Sequence, residues 1–258
     1  MLEIIPIPAF ADNYIWLLRK GNVAAIVDPG DAAPVITYLE RSGTTPRAIL
    51  ATHHHGDHVG GIPALLARWQ VPVFGPAREK IPGRTQALSG GDSIEVSGVD
   101  ATFNVIDVPG HTSGHIALFG EFAGGPVLFC GDTLFTGGCG RLFEGTPDQM
   151  WASLSALAAL PPETRVYCGH EYTLANLRFA LAVEPDNTDL RAREVGEQAK
   201  RGRGEPTVPS TIGVERATNP FLRAHLPEVR LAVAAHTGQA MANDVESFAA
   251  LREWKNKF

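Results

Sequence analysis

Directly after the apolar run Ala48-Ile49-Leu50 the chain carries His53, His54, His55, Gly56, Asp57 and His58 in succession, a density of ligating side chains that packing does not call for. In an extended segment successive side chains alternate faces, so His53 and His55 point one way and His54 the other. Gly56 lets the chain turn sharply, and the stretch from Gly60 to Trp69 can begin a helix, so Asp57 and His58 arrive from a second direction. Short histidine-rich tracts commonly bind metal. A fold that accommodates this tract has to bring a strand end and a helix start together around an ion. A polar surface loop with chance histidines is the competing reading, and it leaves the strand-end position unexplained.

Composition narrows the partners. A chain of 258 residues can build one large domain, or a large one with a small appendage. The net charge is −6 and there is no long basic run, which argues against a nucleic-acid footprint. The basic residues between Arg191 and Arg203 are interleaved with glutamates and read as a solvated helix face. No apolar stretch is long enough to span a bilayer, and Met1 to Pro6 lacks the basic and apolar regions of a secretory signal. Cys130, Cys139 and Cys168 form no CxxC pair, so reduced thiols and a cytoplasmic setting are expected.

Up to about residue 170 the sequence reads as short strands punctuated by Gly and Pro. Strands are expected at 14–18, 24–27, 48–51, 71–74, 101–106, 116–119, 127–130 and 165–168. Helices are expected at Ala33 to Arg41, Gly61 to Trp69 and Pro147 to Ala159, the last with Thr146 as N-cap and Pro147 at its first position. Sheets with interspersed helices imply a layered α/β body. Beyond His170 the texture turns helical, at Leu174 to Val183, Leu190 to Lys200, Pro227 to Ala234 and Val245 to Lys257. Arg201 to Pro206 reads as a linker and Ser210 to Phe221 as irregular.

Three further motifs repeat one design, an apolar run ending in a turn that carries a candidate ligand: His111 after Pro109-Gly110, Asp132 after Cys130-Gly131, and His170 after Cys168-Gly169. Such loops, positioned by a rigid sheet, are where active sites collect. His53, His55, His58, His111 and His170, with His115 as a further candidate and Asp57 and Asp132 as carboxylates, are too many for one tetrahedral ion. Two ions sharing a carboxylate and a nucleophile fit better. His115 is left a supporting role, since His111 already serves that loop, while His54, His225 and His236 are expected not to bind metal.

The pattern His53-His54-His55-Gly56-Asp57-His58 resembles the HxHxDH motif of the metallo-β-lactamase superfamily. Asp12-Asn13-Tyr14, Gly138-Cys139-Gly140-Arg141, Cys168-Gly169-His170-Glu171-Tyr172, Thr207 to Thr211 and Asn219 to Arg223 narrow the resemblance to the hydroxyacylglutathione hydrolases, the glyoxalase II family. The resemblance implies an αββα sandwich over residues 1–170 as the catalytic domain and a helical substrate-binding domain over 171–258. It implies that His53, His55 and His111 bind one divalent ion, that Asp57, His58 and His170 bind another, and that Asp132 bridges them. Zinc is expected first, with iron and manganese as alternatives.

Asp57, His58 and Asp132 are expected to serve the chemistry as well as the metals. Arg141, Phe143, Tyr172, Asn176, Arg252 and Lys255 fall on the family's substrate-binding positions, Phe143 where the family often has tyrosine. By pattern alone, Arg252 and Lys255 would be an exposed cationic helix face. The implied reaction is hydrolysis of a glutathione thioester, S-D-lactoylglutathione above all, by a monomer without nucleic-acid or membrane partners. A lactamase, a single-iron persulfide dioxygenase and a non-catalytic metal-stabilised binding module are the rival readings.

Overall fold

In the computed structural model, which describes residues 2–258, strand β2 (Asn13–Lys20) is buried from Asn13 to Leu18 without a break. A strand covered on one face would alternate, so this one is covered on both. It lies between β1 (Leu2–Ala9) and β3 (Val23–Val27) in a six-stranded sheet completed by β4 (Thr45–Leu50), β5 (Val73–Pro76) and β6 (Gln86–Leu88), in sequential order. The first two pairings are antiparallel and those from β3 to β6 are parallel.

Parallel neighbours need a crossover. Helix α1 (Ala32–Ser42) supplies it between β3 and β4; the short α2 (Gly56–Val59) and then α3 (Ile62–Arg68) supply it between β4 and β5. Asp31 caps α1 by accepting from the Ala33 N–H at 2.9 Å, and Gly43 ends it in the left-handed conformation at φ 63°. One face of the sheet, with Ile15, Leu17, Ile26 and Ile49, packs on Val35 and Leu39 of α1 and on Ile62 and Leu65 of α3.

Strands β7 (Ser93–Val96), β8 (Ala101–Asp107), β9 (Ile116–Phe122) and β10 (Gly125–Gly131) follow as an antiparallel run. Phe103 of β8 meets Phe122 and Phe129 edge to face, with centroids at 5.6 and 5.9 Å. Contacts along the chain collect these elements into one compact unit, Met1–Asp107 with Ser113–Gly131, and Val108–Thr112 with Asp132–Phe258 into a second.

The second unit opens with a small hairpin, β11 (Leu134–Phe135) and β12 (Gly138–Cys139), followed by α4 (Pro147–Ala158) and β13 (Arg165–Cys168). Helices α5 (Thr173–Val183) and α6 (Thr188–Gly202) then pack on each other around Leu177, Ala180 and Leu190. Strand β14 (Ser210–Thr211) pairs antiparallel with β13 and leads into α7 (Ile212–Thr218), α8 (Pro227–Thr237) and α9 (Asp244–Lys257). Rings of Phe179, Phe221 and Trp254 join α5 and α9, and Trp151 on α4 meets Phe248 on α9.

All the expected strands and helices are present, with shifted ends. Three differences have physical reasons. Pro6 and Pro8 argue against a strand, yet β1 is an edge strand, where proline removes no needed donor. Arg201-Gly202 closes α6 rather than opening a linker. The span 210–221, expected to be irregular, holds α7, whose Thr211 cap accepts from the Val214 N–H and offsets Gly213 in its first turn. Among the described residues no helix is long and apolar enough to cross a membrane.

Helix α4 begins as its sequence requires: Thr146 accepts from the Gln149 N–H, the Gln149 side chain accepts from the Thr146 N–H at 3.0 Å, and Pro147 follows the cap. Thr146→Ala is expected to cost about 1 kcal/mol of stability, and Thr146→Ser to restore most of it, as read by urea denaturation.

Candidate metal centre

Parallel pairing of β3 and β4 puts Val27 opposite Leu50, so the residues that follow each strand leave from one sheet edge. Asp28 turns there at φ 51°, a left-handed conformation that Asp adopts more readily than most residues, and donates its N–H to the Leu50 carbonyl at 2.9 Å. Its carboxylate is buried and accepts three hydrogen bonds: from the Thr52 N–H at 2.8 Å, from Thr52 Oγ1 at 2.7 Å and from His58 Nδ1 at 3.1 Å.

These bonds set the imidazole tautomers. A carboxylate only accepts, so His58 carries its proton on Nδ1 and its lone pair on Nε2. The single Thr52 hydroxyl proton goes to Asp28, so Oγ1 accepts from His53 Nδ1, 3.1 Å away, and His53 also presents Nε2 as a lone pair. Second partners of this kind are what fix the orientation of metal-binding histidines.

His53 Nε2 lies 3.2 Å from His55 Nδ1. Two ligands at zinc–nitrogen distances of about 2.1 Å and a tetrahedral angle would stand about 3.4 Å apart, close to that separation, so the donor pair fits an ion. Asp57 Oδ2 is 3.6 Å from His58 Nε2 and accepts from Asn13 Nδ2 at 3.0 Å. As the alternation requires, His54 turns away, with Nδ1 3.0 Å from Glu79 Oε2. His115 stacks on His53 at 4.5 Å.

The second unit carries the other expected ligands. His111 gives its Nδ1 proton to the Arg141 carbonyl at 2.8 Å, which leaves Nε2 directed to Asp132 Oδ2 at 3.5 Å. His170 Nε2 stands 3.3 Å from the same oxygen. One carboxylate oxygen therefore faces two imidazole nitrogens from separate loops, the arrangement a shared ligand needs. Gly140 has to be glycine, because a Cβ there would lie 2.0 Å from the Asp132 carbonyl oxygen. Phe143 meets His111 edge-on at 5.2 Å, and Tyr172 stacks on His170 at 4.6 Å. His225 and His236 lean on Trp151 and Trp254 instead.

Burial pushes the Cys168 thiol up to about 12 and the Cys139 thiol up to about 11, so both stay protonated at neutral pH and leave the ligation to nitrogen and oxygen.

The expected substrate-binding residues divide in two. Arg141, Phe143 and Tyr172 are exposed and Lys255 is half-buried. Asn176 and Arg252 are buried and already hold backbone: Asn176 donates to the Thr136 carbonyl at 3.2 Å, Arg252 to the Cys139 carbonyl at 2.8 Å. The pattern reading of Arg252 as an exposed helix face is thereby corrected. Arg252 shares the inward stripe of α9 with Phe248 and Leu251, is 7% exposed and sits 5.0 Å from the Phe221 ring centroid. Lys255 donates to the Ala175 carbonyl at 3.1 Å, and its pKa is lowered to about 8 by burial first, then by Arg252, Arg178 and Arg141.

Asp28 and Asn13 were not among the expected site residues. Val27-Asp28-Pro29-Gly30 nevertheless repeats the design that singled out Asp132, a strand ending in a turn with a carboxylate.

A family profile described as the metallo-beta-lactamase superfamily matches residues 10–170, and one described as the hydroxyacylglutathione hydrolase C-terminus matches residues 171–258. A hydroxyacylglutathione hydrolase of Alkalilimnicola ehrlichii is 60% identical over 100% of both chains, and one of Cupriavidus taiwanensis is 56% identical over the same shares. Among solved structures, TTHA1623 in a di-iron-bound form is 28% identical with a TM-score of 0.60, over 84% of this chain and 99% of its own.

Asp28→Asn is a sensitive test of these tautomers, since Asn also tolerates a positive φ and the backbone should hold. Its amide would point a donor at His58 and disturb the proton on Nδ1. Metal affinity, measured by chelator competition, is expected to fall about 10- to 100-fold while the circular dichroism spectrum stays unchanged.

Proposed function

The chain belongs to the hydroxyacylglutathione hydrolase family within the metallo-beta-lactamase superfamily, and on that footing we propose that it hydrolyses S-D-lactoylglutathione and related S-2-hydroxyacylglutathiones on a pair of divalent ions, zinc first. The fold expected from the sequence, an αββα sandwich with a helical C-terminal region, is the fold of this family. In the proposed division of labour residues 1–170 carry the chemistry and 171–258 recognise the substrate.

His53, His55 and His111 hold one ion, Asp57, His58 and His170 the other, and Asp132 both. The observation that carries the two-ion reading is the single Asp132 oxygen 3.5 and 3.3 Å from the Nε2 atoms of His111 and His170. When bound, such ions act as Lewis acids and bring the pKa of water from ~15.7 towards ~7.

The chain's own residues orient the attack. Asp57, held by Asn13, directs the attacking water at the thioester carbonyl. Asp28 keeps His53 and His58 in the tautomer that presents Nε2. The departing thiol, with a pKa of about 8.5, leaves as thiolate without a general acid. Arg141 and Lys255 are the cations that meet the glutathione carboxylates, and Phe143 and Tyr172 supply ring faces beside the reacting carbonyl. Asn176 and Arg252 line the same subsite and brace its floor. The enzyme is read as a cytoplasmic monomer, in keeping with three buried cysteines, none of them in a disulfide among the described residues.

Thioesterase assays with metal analysis test this reading directly. Wild-type protein should hold close to two ions per chain, and Asp132→Ala should lose both or nearly both. His58→Ala should cut kcat by at least about tenfold with little change in KM, as when an interaction made only in the transition state is removed. His54→Ala should keep the metals and most activity. A fully active protein with one ion would refute the two-ion site.

Lys255 adds a pH signature. Its ammonium is needed for a carboxylate contact and is lost above about pH 8 in the free enzyme. Because kcat/KM reports groups of the free enzyme, it should fall on the alkaline side of pH 8 through a rising KM. Lys255→Arg, charged throughout, should remove that limb; an unchanged profile would remove Lys255 from the subsite.

A further inference from the structure

The turn of the β11–β12 hairpin is held by side chains, all from the helices that follow it. Glu215 Oε2 accepts from the Gly137 N–H at 2.8 Å, and Asn219 Nδ2 reaches the Gly138 carbonyl at 2.9 Å, the Phe135 carbonyl at 3.3 Å and Glu215 Oε2 at 2.9 Å. Both side chains are fully buried, and Glu215 is paired with the buried Arg193. A buried ion pair is an expensive way to fill space, since apolar residues of the same volume serve stability as well or better. What a satisfied polar network adds is a unique, rigid geometry.

That geometry is transmitted over very few bonds. The gripped residues Phe135 and Gly138 are each three positions from a residue of the metal centre, Asp132 on one side and Arg141 on the other. The hairpin base is closed by the Gly140 N–H on the Thr133 carbonyl at 3.1 Å, and Gly140 leaves no slack against Asp132. The Arg141 carbonyl in turn accepts the Nδ1 proton of His111. A shift of the hairpin would therefore carry Asp132 directly and His111 through its tautomer-setting partner. Val108–Thr112 and the Asp132 segment belong to the same compact unit as the C-terminal helices.

We propose that Asn219 and Glu215 are positioning residues for the metal site, so that the helical C-terminal region holds Asp132 and His111 in register as well as binding substrate. The inference rests on Asp132 and His111 being ligands, as read above.

The test uses the full-length, metal-loaded enzyme, with affinity measured by chelator competition and KM and kcat measured separately. Asn219→Ala should weaken metal binding about 10-fold or more and lower kcat with KM unchanged, and Asn219→Ser, which keeps one short donor, should fall between it and wild type. Leu39→Ala, in the first unit's core on α1, which holds no residue of the hairpin, is the control: it should lose stability without losing metal affinity. If Asn219→Ala and Asn219→Ser bind metal as wild type does, or if Leu39→Ala weakens metal equally, the positioning role is overturned. Asp132→Ala separates the premises. Should it keep both ions, the ligand assignment fails and takes this inference with it; should it lose them while the Asn219 variants do not, only the positioning role fails.

Discussion

The rest of the first unit's site follows from one buried carboxylate. Asp28 sits at the edge where two parallel strands end together, and its acceptor-only chemistry decides which nitrogen of His53 and of His58 carries a proton. Neither ring could present Nε2 reliably without it, because a neutral imidazole has two tautomers separated by little energy. The cost of burying a charge is offset by three hydrogen bonds. The left-handed turn at Asp28 and the parallel sheet beneath it exist in the service of that arrangement.

The second unit solves the same problem with backbone instead of charge. His111 is oriented by a carbonyl, and that carbonyl lies two residues past a hairpin whose turn is gripped from the side by Glu215 and Asn219. Cationic side chains gather a short distance along the chain fold, where burial first, and then Arg252, Arg178 and Arg141, loosen the proton of Lys255. Carboxylates thus gather among the imidazoles of the candidate metal centre, and cations gather around Lys255. The net charge of the whole chain says nothing about either.

Much of this was legible in the sequence where the signal is local. The candidate ligands at 53–58, the strand–turn motifs that carry 111, 132 and 170, and the Thr146–Pro147 helix start all depend on near neighbours, and the structure has these strands, turns and helix start where they were expected. What escaped depends on partners distant in sequence. Asp28 reads as an ordinary turn residue until Thr52 and His58 are seen around it, and Asn13 as part of a motif without a task. Arg252 looks solvent-facing by residue type and is buried by the helix face it shares with Phe248. Helix α7 is too short and too glycine-marked for periodicity to reveal, though it carries the buried Glu215.

The cysteines carry a consequence of their own. A thiol held near 11 or 12 exists as thiolate at neutral pH in only about one molecule in 10,000 or fewer, and only thiolates attack disulfides. An enzyme whose every turnover releases glutathione works amid that tripeptide and its oxidised dimer. With Cys130, Cys139 and Cys168 all buried, it presents them no accessible thiol with which to form a mixed disulfide.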